Sequence, residues 1–277
     1  MTSIRFFFFQ ILTGLLLGVP FGFAEGAGAQ ELPPFTTDRP SQSDASTLVP
    51  PGYLQAEAGY TWAEDDSAGA TTESHAGPNL FLRYGVMDRL ELRLGWDGYL
   101  SVQTDPDPTV HGAGDGQASA KVYLWEEAGG LPETTLLAGT TLPFGKDGLS
   151  SGRSDPFFRF LFQYTLPEGF SFGSNLGVTW KTSATATGGK DTDADFIYTA
   201  LLGYGVTPQV DAFVEFFGAL PLEDGVAGSP TEDRHGFDAG FAWRVLPTVQ
   251  VDLSAGIGLN DAAQDLFIAA GISYRLP

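Results

Sequence analysis

The chain has 277 residues, with 14 Lys and Arg against 34 Asp and Glu and a formal net charge of −20. That balance argues against a nucleic-acid partner, since binding would crowd like charges without releasing phosphate counterions; 43% hydrophobic and 13% aromatic residues against 17% charged ones exclude a disordered acidic chain. With no Cys, a disulfide scaffold, a Cys-ligated zinc site and a cysteine nucleophile are excluded as well.

Residues 1–29 read as a secretory signal, with Arg5 as the positive n-region, Phe6 to Leu17 as the apolar h-region and Ala27-Gly28-Ala29 as an A-x-A cleavage site. Residues 30–52 contain Pro33, Pro34, Pro40, Pro50 and Pro51 and cannot make a long helix. This segment either hangs in the periplasm or folds as a plug into the interior formed by the rest of the chain. No later stretch supplies the roughly 20 apolar residues of a membrane helix; Phe196 to Val210 is uncharged but carries Gly203, Gly205 and Pro208.

From Tyr53 onward apolar residues recur with period two. Leu54, Ala56, Ala58, Tyr60 and Trp62 alternate with Gln55, Glu57, Gly59 and Thr61, and Leu90, Leu92, Leu94 and Trp96 with Glu91, Arg93, Gly95 and Asp97. Twelve such segments are predicted, at 53–62, 74–84, 90–100, 116–125, 133–142, 156–165, 170–180, 195–204, 209–219, 235–244, 249–258 and 265–276. Each is about ten residues, the length a tilted strand needs to cross a bilayer. Connections after the first, third, fifth, seventh and ninth segments are long and rich in Gly, Ser, Thr and Asp; those after the second, sixth, eighth and tenth have about four or five residues. This rhythm predicts an all-β, transmembrane, antiparallel up-and-down barrel over 53–277, with short turns in the periplasm and long loops outside. The short turns repeat one another: Tyr84-Gly85-Val86 parallels Tyr204-Gly205-Val206, and Trp243-Arg244-Val245 is a looser copy.

The apolar parity meets lipid if aromatics gather at its two ends. Tyr84, Tyr164, Phe170, Tyr204, Trp243 and Tyr274 fall beside the short turns, and Trp62, Trp96, Phe158, Trp180 and Phe196 beside the long loops, as the interfacial girdles of a bacterial outer-membrane barrel do. The expected surroundings are outer-membrane lipid and lipopolysaccharide. The final Gly271-Ile272-Ser273-Tyr274-Arg275-Leu276 has the pattern of a terminal strand recognised by the barrel-assembly machinery, although Leu276-Pro277 replaces the usual Phe.

Several short motifs carry a resemblance. They are Thr36-Thr37-Asp38-Arg39-Pro40-Ser41, the run Val49-Pro50-Pro51-Gly52-Tyr53-Leu54 entering the first strand, the Arg83 to Arg93 hairpin, Gly114-Asp115-Gly116-Gln117, Leu142-Pro143-Phe144-Gly145 and Asp265 to Leu276. In this order they resemble the MetA-pathway of phenol degradation family of outer-membrane proteins. The resemblance implies a barrel that passes small, often hydrophobic compounds.

Chemistry is sparse. His75, His111 and His235 are the only histidines; His75 falls on the polar parity, opposite to the outer-wall Ser/His pair an outer-membrane phospholipase would need, so no enzyme is expected. Asp191, Asp193 and Asp195 lack the Gly and Glu of an EF-hand, with Phe196 and Leu202 in those places, and read as a solvated acidic loop. No metal or cofactor is expected. The polar parity places Arg83, Arg93, Lys121, Arg159, Arg244 and Arg275 with Glu57, Glu91, Asp97, Asp211, Glu215, Asp238 and Asp252 toward the lumen. Ion pairs between neighbouring strands are expected there, with Arg83, Arg93, Arg244 and Arg275 as a positive ring near the short turns. The expected function is passive passage of small-molecule solutes, hydrophobic or aromatic ones among them. The alternative is a structural or adhesive barrel with a closed lumen and acidic outer loops.

Overall fold

The computed structural model describes residues 35–67, 69–184, 189–222 and 232–276. The signal at 1–29, residues 30–34 and most of the acidic Pro221 to Arg234 loop lie outside the described residues. Fourteen strands form one antiparallel sheet: β1 Leu54–Ser67, β2 Ala70–Met87, β3 Leu90–Trp96, β4 Tyr99–Thr104, β5 Val110–Ala113, β6 Gly116–Trp125, β7 Glu133–Leu142, β8 Pro156–Thr165, β9 Phe170–Ala184, β10 Lys190–Thr207, β11 Val210–Pro221, β12 Arg234–Leu246, β13 Val249–Gly258 and β14 Leu266–Leu276. Both β3 and β4 pair with β2, while β5 pairs with β4 and β6 with β3. Thus β3 with β4, and β5 with β6, are each one wall strand interrupted once, so the wall has twelve strands. The interruptions face each other and remain bonded, Asp97 N–H to the Asp115 carbonyl at 2.9 Å and Gly114 N–H to the Gly98 carbonyl at 2.8 Å. Gly98 sits there at φ +84°, where a Cβ would run into the carbonyl of Pro78.

Closure comes from β1, which pairs with β2 on one side and with β14 on the other, in register from Leu54 opposite Leu276 to Glu64 opposite Leu266. The wall is thereby closed on itself, and among the described residues the sheet ends only at the short β5.

The repeated turn motif has a geometric cause. β2–β3, β10–β11 and β12–β13 are joined by only two residues each, and each hairpin has a register irregularity just before its turn, at Val86, Val206 and Val245. The extra residue adds twist where the chain reverses. These connections are thus shorter than the expected four or five residues. On the opposite rim, much of the expected loop is strand: β2 and β10 have 18 residues and β9 has 15, well beyond the roughly 9–11 that cross a bilayer. Hairpin ends that project into water need no apolar face, so the polar composition there concealed them.

The wall is inverted relative to a water-soluble domain. Leu82, Leu94, Phe160, Leu253 and Ile268 are exposed, and the largest fully buried side chains are Arg83, Arg275 and Lys121. Tyr84, Phe170, Tyr204 and Trp243 are exposed beside the short turns, and Phe170 and Tyr204 pack ring to ring at 4.7 Å. This outward apolar band with an aromatic border is the surface of an outer-membrane barrel.

Candidate functional site in the barrel interior

Period-two alternation delivers a charge to the inner face on strand after strand: Glu57 on β1, Arg83 on β2, Glu91 and Arg93 on β3, Lys121 on β6, Glu215 on β11, Asp238 on β12, Asp252 on β13 and Arg275 on β14. None is more than 5% exposed. Buried charge is costly unless paired, and Arg83 is paired in full. Its Nε and Nη2 donate to the two oxygens of Glu91 at 2.8 and 3.0 Å, and its Nη1 donates to Glu57 at 3.0 Å. A bidentate guanidinium–carboxylate bond is the strongest pairing available to these groups.

The remaining partners come from Phe35 to Gly52. Asp38 accepts from Arg93 Nη2 and from Lys121 Nζ, the latter at 2.8 Å, and lies 3.3 Å from Arg83 Nη1. Asp44 accepts from Arg93 at 2.8 Å and Arg159 at 2.9 Å, and Arg39 donates to Asp252 at 3.2 Å. Backbone N–H groups of the segment serve the wall carboxylates, Gln42 to Glu215 and Val49 to Glu91 at 2.7 Å each. Ser43 reaches Thr199 and Glu215, and Ser46 bonds Glu133 at 2.5 Å. The segment therefore bonds β1, β2, β3, β6, β7, β8, β10, β11 and β13, spanning the interior from wall to wall.

The wall is relieved of side chains where this segment passes. Gly59 and Gly271 stand opposite each other across β1–β14, and a Cβ on either would collide with the Arg39 guanidinium. A Cβ on Gly85 would collide with the carbonyls of Val49 and Pro50, where Gly52 N–H bonds the Gly85 carbonyl at 2.8 Å. Burial alone would raise the Asp38 carboxyl, but Arg83, Arg93 and Lys121 outweigh it and hold the group well below the usual carboxylate range.

The other sequence-identified charges are placed differently. Asp97 is exposed at the β3–β4 break. Arg244 and Asp211 lie 3.7 Å apart near the short turns, with side chains 34% and 58% exposed, and Asp238 stands directly across β11–β12 from Glu215. Arg275 has its guanidinium 5.1 Å from the Phe35 ring and 5.5 Å from Tyr53. Arg83 is paired with Glu91 on the neighbouring strand, in line with the ion pairs expected between strands, and Arg93 with Asp38 and Asp44 of the segment. Asp38, Arg39 and Asp44, the missing counter-charges, precede the alternating pattern, so strand parity could not point to them.

His75 also differs from expectation. A register irregularity between Gly59 and Thr61 sets His75 opposite Trp62 on the outward face, where its Nδ1 meets Tyr60 Oη at 2.5 Å and its Nε2 meets Glu73 at 3.0 Å. The bulge reverses the parity read from the sequence. Tyr198 meets His235 in the same way at 2.5 Å. In the Asp191 to Asp195 run, Asp195 is bonded by Arg234 and lies 3.7 Å from Lys181, paired rather than solvated.

Two cavities of about 350 and 290 Å³ open on the long-loop side of the segment, with Arg39, Ser41 and Gln42 lining both. Between them the inner wall carries Phe81, Phe157, Phe217 and Phe267, each directly opposite a glycine on the next strand, Gly95, Gly139, Gly236 and Gly256. A Cβ on any of these glycines would strike the facing ring. The rings therefore lie along the wall rather than across the bore.

Residues 37–276 match the family described as "Putative MetA-pathway of phenol degradation". The chain belongs to this family. Its fold is similar to that of the COG4313 outer membrane channel from Pseudomonas putida F1, with a TM-score of 0.65 and 15% identity over 83% of this chain and 97% of that one. It is also similar to the translocator domain of the autotransporter NalP from Neisseria meningitidis, with a TM-score of 0.54 and 11% identity over 81% and 88% of the two chains. For the NanC porin the TM-score is 0.52, with 12% identity over 80% and 100%. At such identities the likeness concerns the fold, which is that of outer-membrane channels, porins and translocators. No curated protein sequence matches the chain. Family membership and fold together make this an outer-membrane β-barrel.

Proposed function

We propose that the protein is a passive channel for small molecules whose path is closed at rest by its own residues 35–49. The observation that carries this reading is the segment's bonding to nine wall strands at the level where the wall charges are buried, with cavities left on the long-loop side. On this reading the wall charges Glu57, Arg83, Glu91, Arg93, Lys121, Arg159, Glu215, Asp238 and Asp252 line the path once the segment leaves, while Asp97, Asp211, Arg244 and Arg275 lie toward its two ends. Water and solute then replace the segment as their partners, which keeps an opened lumen hydrated.

The dense pairing around Arg83 and Asp38 also favours the second reading, a structural barrel that stays closed. Planar-bilayer recordings separate the two. The channel reading expects the full chain to show discrete openings under voltage, and a chain lacking residues 35–49 to conduct steadily with a larger step. A full chain that never opens while the deleted chain conducts supports the closed barrel. A deleted chain that inserts but does not conduct overturns the assignment of the segment as the barrier.

A further inference from the structure

The larger of the two cavities differs chemically from everything else inside the barrel. Its volume of about 350 Å³ is at the small end of ligand pockets, which run from roughly 300 to 1,000 Å³. One side is apolar: Phe217 and Phe267 lie with ring centroids 6.4 Å apart at 60°, both pressed against glycines, with Ala269 beside them. The other side is polar, with Gln42 and Asn79, and Arg39 is the single charged residue among those that line it. Arg39 uses Nη2 on Asp252, while its Nε is buried without a hydrogen-bond partner. A buried unsatisfied donor on a cation favours a charged acceptor.

The smaller cavity lacks this bias. Arg39, Arg93 and Arg159 there face Asp38, Asp44, Glu57 and Asp97, so an added anion would meet more negative groups than positive ones. Two tilted aromatic faces and one guanidinium select for shape and charge together.

We propose that the larger cavity is a binding site for a single-ring aromatic carboxylate, its ring against Phe217 and Phe267 and its carboxylate on Arg39. The site needs the segment seated, because Arg39 and Gln42 belong to it. It rests on the channel reading only for what the bound molecule does next; binding itself does not require conduction.

The test is equilibrium dialysis of labelled benzoate against the full-length barrel in detergent, with phenol and cyclohexanecarboxylate as competitors. Saturable binding of one benzoate per barrel is expected. Arg39→Gln and the double variant Phe217→Leu/Phe267→Leu should each weaken it by about tenfold or more, the equivalent of one good contact. Phenol, which lacks the carboxylate, and cyclohexanecarboxylate, which lacks the aromatic face, should compete poorly. Heat-modified gel mobility checks that each variant is a closed barrel, and protease resistance of residues 35–49 checks that the segment is seated. The Phe double variant keeps every bond of the segment, so its result stands if Arg39→Gln loosens that segment. Non-saturable uptake, equal competition by either control compound, or unchanged affinity in the seated Phe variant overturns the proposal. Benzoate binding by a barrel that never conducts would retain the site and remove the channel reading; conduction without benzoate binding would do the reverse.

Discussion

Arg83 is held by three carboxylates and is fully buried, so its removal and the removal of one of its partners are different experiments. Glu91→Gln leaves the guanidinium one charge short in a site water does not reach, and should destabilise the barrel by about 3–5 kcal/mol. The midpoint of the heat-modified gel shift reads this, and an unchanged midpoint would mean that the pair is hydrated in the membrane. Asp38 is the residue through which acid should act. Its carboxyl is depressed in the folded chain, so its stabilising contribution is complete above its ordinary value of about 3.8 and is lost only as pH falls below that toward the folded value. The share of the protease resistance of residues 35–49 that Asp38 supplies, read as the difference between the unaltered chain and Asp38→Asn, should thus be flat from pH 8 to about 5 and decline only in stronger acid. Asp38→Asn should lower resistance throughout that range. Loss of that difference near neutral pH would contradict this account. The glycines of the seat should also rank. At Gly59 an added Cβ meets the end of the flexible Arg39 side chain, whereas at Gly85 it meets backbone. Gly85→Ala should therefore loosen the segment far more than Gly59→Ala under the same protease assay.

At the level of strands, lipid contact and interior packing make opposite demands on neighbouring residues. Leu94 is 57% exposed on the outer face and Leu161 is fully buried on the inner one. Leu94→Arg should cost roughly 2–4 kcal/mol of insertion if it lies near the midplane. The alternation alone suggests that Leu161, on the polar parity, would tolerate a polar residue. The structure points the other way: Leu161 packs with Leu137 and Phe157, so Leu161→Gln should also impair folding, as judged by the fraction that refolds to the heat-modifiable form. The twelve strands, their order and their closure were legible because an amphipathic strand declares itself every second residue. The same rule explains the features that stayed hidden. A bulge at Gly59/Thr61 shifts parity and carries His75 to the other face. Projecting hairpin ends have no apolar side to reveal them. The Phe35 to Gly52 segment has no period at all, although Asp38, Arg39 and Asp44 take part in most of the interior's ion pairs. The Thr36 to Ser41 motif, which contains Asp38 and Arg39, and the plug reading of residues 30–52 were the signals that a further partner existed.

For the molecule as a whole, orientation follows from the unequal rims. A Cys at Asp107 on the long-loop rim should react with an impermeant thiol reagent on intact cells, and a Cys at Thr207 beside a two-residue turn should react only after the outer membrane is opened. Reversed labelling would invert the proposed direction of access to both cavities. The seated segment also bears on assembly. Its partners are spread over nine strands and it leads directly into β1, so a barrel that closed before the segment was seated would hold those charges against water alone.

The phenylalanines that lie flat on facing glycines have a mechanical meaning as well. Each ring is a peg seated in a notch on the adjoining strand, and the pegs at Phe81, Phe157, Phe217 and Phe267 are distributed around the circumference. Sliding any of these strand pairs by a single residue would drive a ring into a side chain and turn every inward group outward. Hydrogen bonds between strands resist pulling apart but are nearly indifferent to such slippage, since a displaced ladder can re-form one step along. The pegs are not indifferent. They fix the tilt of the wall, and hence the diameter of the bore, by shape alone, independently of whatever occupies its centre.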